Sequence, residues 1–314
     1  MPGSKIDCVE YYLPKKRETN KDLKKYNPKW DIGRIKSKTG INTRFIADRK
    51  EDAISMAEKA IKKIFNKFPK KNLDFLILVT QTSPYRIPTA ACILQEKLKL
   101  PKNIIAFDIN LGCSGYIYAL RVATSLIESG QSKKGIIVCS DTYTKNISKK
   151  NAQCRPIFSD AAAATLLSSS KKNCIGPFVL GTDGSGYNAL ELEQGNKEVV
   201  MNGAKVLTFA MSIVPSNVEE LLKKIKMKSK NIDLFIFHQA SKYILDNINR
   251  KLNLSKKQTF ENYKKVGNTI SASIPIALKD ASRKYLKNGT RIILAGYGVG
   301  LSWGSVYIRW GKIK

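Results

Sequence analysis

Three residues of this 314-residue chain have types and settings suited to chemistry: Cys113, His238 and Asn268. Cys113 follows the apolar run Ile104–Ile109 in the turn Asn110-Leu111-Gly112-Cys113-Ser114-Gly115, and the amphipathic stretch YIYALRVATSLIESG comes next. At such a strand-to-helix junction the unpaired N–H groups and the helix dipole favour a thiolate. Glycines on either side let backbone or substrate approach the sulfur. Cys113 therefore reads as a nucleophile, although burial as a structural residue is commoner for any cysteine taken alone. His238 is the one histidine, which excludes a multi-histidine metal site and any two-histidine mechanism. It ends the apolar run LFIF and opens the turn His238-Gln239-Ala240-Ser241, at a strand end, where open α/β sheets place functional groups. A hydrogen-bonded histidine at the edge of the core is the competing role. Asn268, in Gly267-Asn268-Thr269, either caps the following helix or turns its amide toward a reacting carbonyl oxygen; taken alone, capping is the stronger reading.

The surrounding pattern alternates strands and helices. Residues 6–13, 73–80, 104–109 and 133–141 read as strands, the last with an acidic end, and 51–68 has helical spacing. IFSDAAAATLL reads as a turn and a closely packed strand. From about residue 171 the pattern restarts with IGPFVLGTDGSGYNALEL, a long helical region in which Pro215 is expected either to make a break or to stand at the first position of a helix, the His238 strand, a further helix, and the closing strands TRIILAGYG and SWGSVYIRW. This is an α/β chain with a largely buried mixed sheet, divided into halves 1–170 and 171–314 with no low-complexity linker between them. Gly296-Tyr297-Gly298-Val299-Gly300 is followed by a strand and has no room for an acidic ribose ligand, so it is no dinucleotide loop. It remains a corner able to bring backbone N–H groups to a substrate.

An apolar content of 43% supports a large core, no apolar run reaches the roughly 18 residues of a membrane span, and the N-terminus lacks a signal-peptide pattern, so a soluble cytoplasmic protein is expected. The six cysteines form no C-x-x-C and have no zinc-ligand spacing, which fits reduced thiols. A net charge of +30 draws acidic macromolecules, but the lysines are spread along helices and loops without an Arg/aromatic stripe, against nucleic-acid binding.

The segments FDINLGCSGYIYAL, IFHQAS, VGNTISASIP and GYGVGLSWG, in that order, resemble β-ketoacyl-acyl-carrier-protein synthase III and its relatives in the thiolase superfamily. KTGINTR, TAAC, FSDAAAATLL, GTDGSGYN and MNGAKVLTFA extend the resemblance over nearly the whole chain. It implies a thiolase-like fold of two similar halves with mixed sheets in alternating α/β layers, usually in a homodimer. It also implies a decarboxylating Claisen condensation without cofactor or metal. By that resemblance Cys113 takes an acyl group from acyl-CoA or acyl-carrier protein, and malonyl-carrier protein supplies the attacking carbon. His238 and Asn268 stabilise the enolate, and the backbone N–H groups of Cys113 and Val299 form the oxyanion hole. Ile87, Phe209, Ser241, Arg34 and Lys38 fall at substrate-binding positions, and Lys242 beside the carrier-protein docking position, where Tyr243 replaces an arginine. Further departures are Val299 for glycine, Ser241 for asparagine, Arg34 for tryptophan (with Trp30 one turn earlier), Lys38 for arginine, and Ile87 where phenylalanine is frequent. These leave the chemistry intact and suggest a specialised relative, in secondary or surface-glycan metabolism. The alternative activity is acyl transfer from Cys113 to an alcohol or amine, which the His238–Asn268 pair disfavours.

Overall fold

The computed structural model describes residues 2–193, 195–196 and 198–311. The first part of the chain forms β1 (Gly3–Tyr12), β2 (Lys16–Thr19), α1 (Asn20–Tyr26), α2 (Ile32–Thr39), β3 (Thr43–Ile46) and α3 (Ala53–Phe65). Next come β4 (Phe75–Val79), α4 (Ala90–Leu98), β5 (Ile105–Ile109), α5 (Gly115–Glu128), β6 (Lys134–Asp141) and β7 (Ala161–Ser170). The remainder forms β8 (Ile175–Thr182), β9 (Leu190–Glu191), β10 (Val200–Met201), α6 (Gly203–Lys224), β11 (Leu234–Phe237) and α7 (Lys242–Lys251). The last elements are α8 (Tyr263–Val266), α9 (Ser273–Ser282), β12 (Arg291–Gly298) and β13 (Ser302–Arg309).

One mixed sheet has the order β1-β7-β6-β4-β5 and a second the order β11-β12-β13-β8. In the first, β4 runs parallel to β5 and β6 while β7 is antiparallel to its neighbours. In the second, β11 and β12 are parallel and the others antiparallel.

The apolar strands are buried on both faces, and their two-residue period assigns each face to a different layer. Phe75, Ile77 and Val79 of β4 pack with α5 and α9, whereas Leu76 and Leu78 pack with α3 and α4. The alanines of β7 divide the same way, Ala161 and Ala163 to one side and Ala162 and Ala164 to the other. In β11, Leu234 and Ile236 join the α5/α9 layer and Phe235 and Phe237 join α6 and α7. Three helical layers therefore alternate with two sheets, the thiolase-like arrangement, and α5 with α9 forms the central one. Among the described residues, no helix is long and apolar enough to cross a membrane.

Pro215 does not break α6, which runs unbroken through it. A proline frees the carbonyl four residues earlier. Here that carbonyl, on Met211, accepts a hydrogen bond from Lys251 Nζ of α7 at 2.9 Å, so a neighbouring helix supplies the missing donor.

Candidate active site

β4, β5 and β6 end on the same side of the first sheet, and the chain leaving β5 turns through Gly112 before α5 begins at Gly115. Cys113 lies in that turn, 5% exposed. Its sulfur faces the end of β12, where only a glycine fits. A Cβ on Gly298 would sit 2.7 Å from Cys113 Cβ and 3.0 Å from its Sγ. The thiolate expected at this junction is not the resting state. Burial, then the charge of Asp141, pushes the thiol up to about 12, against the lowering influence of the N–H groups of Cys113 and Val299. Loss of water around the charged form outweighs what those two N–H groups offer the thiolate.

His238 extends the β11–β12 ladder by donating its main-chain N–H to Ala295 O at 2.8 Å. The ring meets Tyr297 edge-on, with centroids 5.5 Å apart, and Nδ1 lies 2.6 Å from Ser273 Oγ. Burial lowers its pKa to about 3, so the imidazole is neutral at physiological pH. Burial raises the Tyr297 hydroxyl, and a thiolate at Cys113 would raise it further, which places this ring near the sulfur as well as the imidazole.

Asn268 is fixed by its backbone, donating to Ile157 O at 3.0 Å and accepting from Ser159 N–H at 2.8 Å. Its side-chain oxygen accepts the Ile270 N–H at 3.0 Å. The asparagine thus closes a local turn rather than capping α9. Its NH2 has no protein partner among the described residues and is free to donate. The same turn brings Ile270 into an apolar cluster with Cys113, Tyr143, Phe158 and Leu190, against which Val299 packs.

Two family profiles match this chain: "3-Oxoacyl-[acyl-carrier-protein (ACP)] synthase III" over residues 107–184, and its C-terminal counterpart over 222–310. A β-ketoacyl-[acyl-carrier-protein] synthase III of Clostridium perfringens is 33% identical over 329 aligned residues, covering 98% of this chain and all (100%) of that one. A crystal structure of a 3-oxoacyl-(acyl-carrier-protein) synthase III superposes with a TM-score of 0.95 at 33% identity, covering 98% of this chain and 100% of the other. The corresponding Aquifex aeolicus structure gives 0.93 at 34% identity, with 98% and 100% covered. This chain belongs to the β-ketoacyl-acyl-carrier-protein synthase III family. The first matched segment holds Cys113 and the second holds His238, Asn268 and Val299.

The other residues singled out in the sequence have the following surroundings. Ser241, three residues after His238, is the N-cap of α7 and accepts from Ile244 N–H at 3.5 Å. Phe209 packs on Trp303, with centroids 5.8 Å apart. Lys242 pairs with Asp246, one helical turn on. Arg34 and Lys38 are exposed on one face of α2. A groove of about 1000 Å³ beside that helix is lined by Lys21, Lys24, Lys29, Trp30 and Lys36. Ile87 is 86% exposed.

Sequence reasoning passed over two groups at this site. Asp141, at the acidic end of β6, accepts from Gln81 N–H at 2.8 Å and from Ser271 Oγ, tying the ends of β4 and β6 to the Asn268 segment. Ser273 holds the histidine ring. The signal for both was present: a carboxylate closing an otherwise apolar strand, and a lone histidine with a second nitrogen to satisfy.

Proposed function

We propose that Cys113 is acylated by a thioester and that His238 and Asn268 stabilise the enolate oxygen of a malonyl-carrier-protein thioester as it loses carbon dioxide. In the first step the sulfur attacks the thioester carbonyl, the donor thiol leaves, and the Cys113 proton passes to the departing sulfur. The N–H groups of Cys113 and Val299 stabilise the tetrahedral oxygen. In the second step the C–C bond to the malonyl carboxylate breaks, carbon dioxide departs, and the remaining electron pair forms the enolate. The enolate carbon attacks the acyl carbon, and Cys113 leaves as a thiolate and is reprotonated. The product is a 3-oxoacyl thioester, which places the protein in fatty acid biosynthesis.

The observation that carries this reading is the neutrality of the His238–Asn268 pair. A ring whose pKa is lowered to about 3 and an unpaired amide are hydrogen-bond donors rather than proton acids. An enolate oxygen is stabilised by such donors without being protonated early. Nothing in the comparisons favours the alcohol or amine acceptor.

The family resemblance and the exposed edge support a homodimer. β5 is an edge strand of the first sheet, and Ile105, Tyr85 and Ile87 are exposed beside it (41%, 52% and 86%). Pairing two β5 strands covers that edge and directs Ile87 toward the other copy's acyl site. The division at 170/171, between β7 and β8, a cytoplasmic location, and docking of acidic carrier proteins on the lysine-rich surface belong to the same reading.

Acylation is tested by incubating the protein with acyl-CoA and mapping the adduct by mass spectrometry. One acyl group on Cys113, absent from Cys113→Ala, is expected. An adduct unaffected by that substitution contradicts the assignment.

A further inference from the structure

The condensation uses one nitrogen of His238, and the structure shows what holds the other. Nδ1 lies 2.6 Å from the hydroxyl oxygen of Ser273, the first residue of α9. Both residues are buried, 2% and 1% exposed. The same oxygen receives the main-chain N–H of Gln239, the residue after the histidine, at 3.4 Å. Ser273 therefore has one hydrogen to donate, and among the described residues Nδ1 is its only hydrogen-bonded acceptor.

Two proton arrangements fit the distance, and they differ in cost. If Nδ1 carried the proton, two N–H groups would converge on Ser273 Oγ and the hydroxyl hydrogen would be stranded without water. An unsatisfied buried donor costs far more than a bond gained, so that arrangement is the poorer one. In the other, Gln239 N–H donates to Oγ, Oγ–H donates to Nδ1, and the ring proton sits on Nε2.

The remaining contacts hold the histidine without choosing between these. Tyr297 meets the ring edge, and the His238 backbone is pinned to Ala295. The Gln239 side chain is anchored in turn, donating to Phe237 O at 2.8 Å and accepting from Asn262 N–H at 2.8 Å. Among the described residues, Ser273 is the one group hydrogen-bonded to the ring.

We propose that Ser273 is a positioning residue whose hydroxyl donates to His238 Nδ1 and fixes the imidazole as the Nε2–H tautomer, the form able to donate to the enolate oxygen. This rests on the donor role given to His238 above. The segment Asn268–Ser273 then sets both donors of the site: Asn268 presents its own NH2, and Ser273 places the histidine proton.

The single histidine makes the test direct, because labelling with 15N-histidine puts one imidazole in the spectrum. In the wild-type protein the proton is expected on Nε2, with Nδ1 bare. In Ser273→Ala the Nδ1–H form appears, and decarboxylation of a malonyl thioester falls about tenfold or more. Acylation of Cys113 and the unfolding midpoint stay close to wild type. Ser273→Thr, which keeps the hydroxyl, restores the Nε2–H signal and the rate. An Nδ1–H ring in the wild type overturns the proposal whether or not Ser273→Ala folds. So does a Ser273→Ala protein with unchanged tautomer and rate. An Nε2–H ring that Ser273→Ala disturbs, in a protein that decarboxylates nothing, would leave the tautomer assignment standing and defeat the condensation reading instead.

Discussion

Cys113 and His238 both rest in neutral form, and the cause in each case is burial. The thiol, raised to about 12, and the imidazole, lowered to about 3, are shifted in opposite directions by loss of water around the charged form. The reactive thiolate exists above the thiol pKa, so at neutral pH raising that pKa reduces its fraction. Alkylation of Cys113 by iodoacetamide, read on the Cys113 peptide by mass spectrometry, should climb about tenfold per pH unit through pH 9. A plateau near pH 7 would mean an activated thiolate. The positions of Cys113 and His238 could be read from the sequence because each lies just beyond an apolar run, Cys113 in the glycine-containing turn after Ile109 and His238 directly after Phe237. The role of Ser273 could not. In ISAS, Ser271 bonds Asp141 and Ser273 bonds His238, and the directions depend on Ile270 standing at φ 52°, in the left-handed region. A β-branched residue avoids that region unless its surroundings hold it, and the Asn268 side chain does so here.

Among the elements, β12 and the β5–α5 turn decide where the sulfur stands. Gly298 lets the strand approach to where a Cβ would lie 3.0 Å from Sγ. Gly298→Ala should displace Cys113 and slow its acylation about 100-fold, measured by stopped-flow with acyl-CoA, because small misplacements of a reacting atom are costly. An unchanged rate would show that the turn can yield. Strands were legible wherever an apolar run was fully buried, as in β4 and β11. α1 and α2 were not, since 20–39 is lysine-rich and its two helices are only 7 and 8 residues long. The expected break at Pro215 failed for a tertiary reason: the donor to Met211 O comes from Lys251, 40 residues away in sequence.

For the whole molecule, the order of the alternating α/β layers follows from the face to which each apolar residue points, and the resemblance anticipated it. What lies beyond one chain is the edge at β5. Ile105→Lys should convert a dimer to monomers in analytical ultracentrifugation, since an inward charge on an edge strand opposes pairing. A wild-type monomer, or a dimer indifferent to that change, would count against pairing along β5. The account as a whole stands on condensation, and one stoichiometry addresses that. Protein acylated at Cys113 is mixed with malonyl-carrier protein labelled in its free carboxylate. One labelled carbon dioxide and one 3-oxoacyl thioester are expected for each Cys113 acyl group consumed. Loss of the acyl group to water, an alcohol or an amine without carbon dioxide would contradict it.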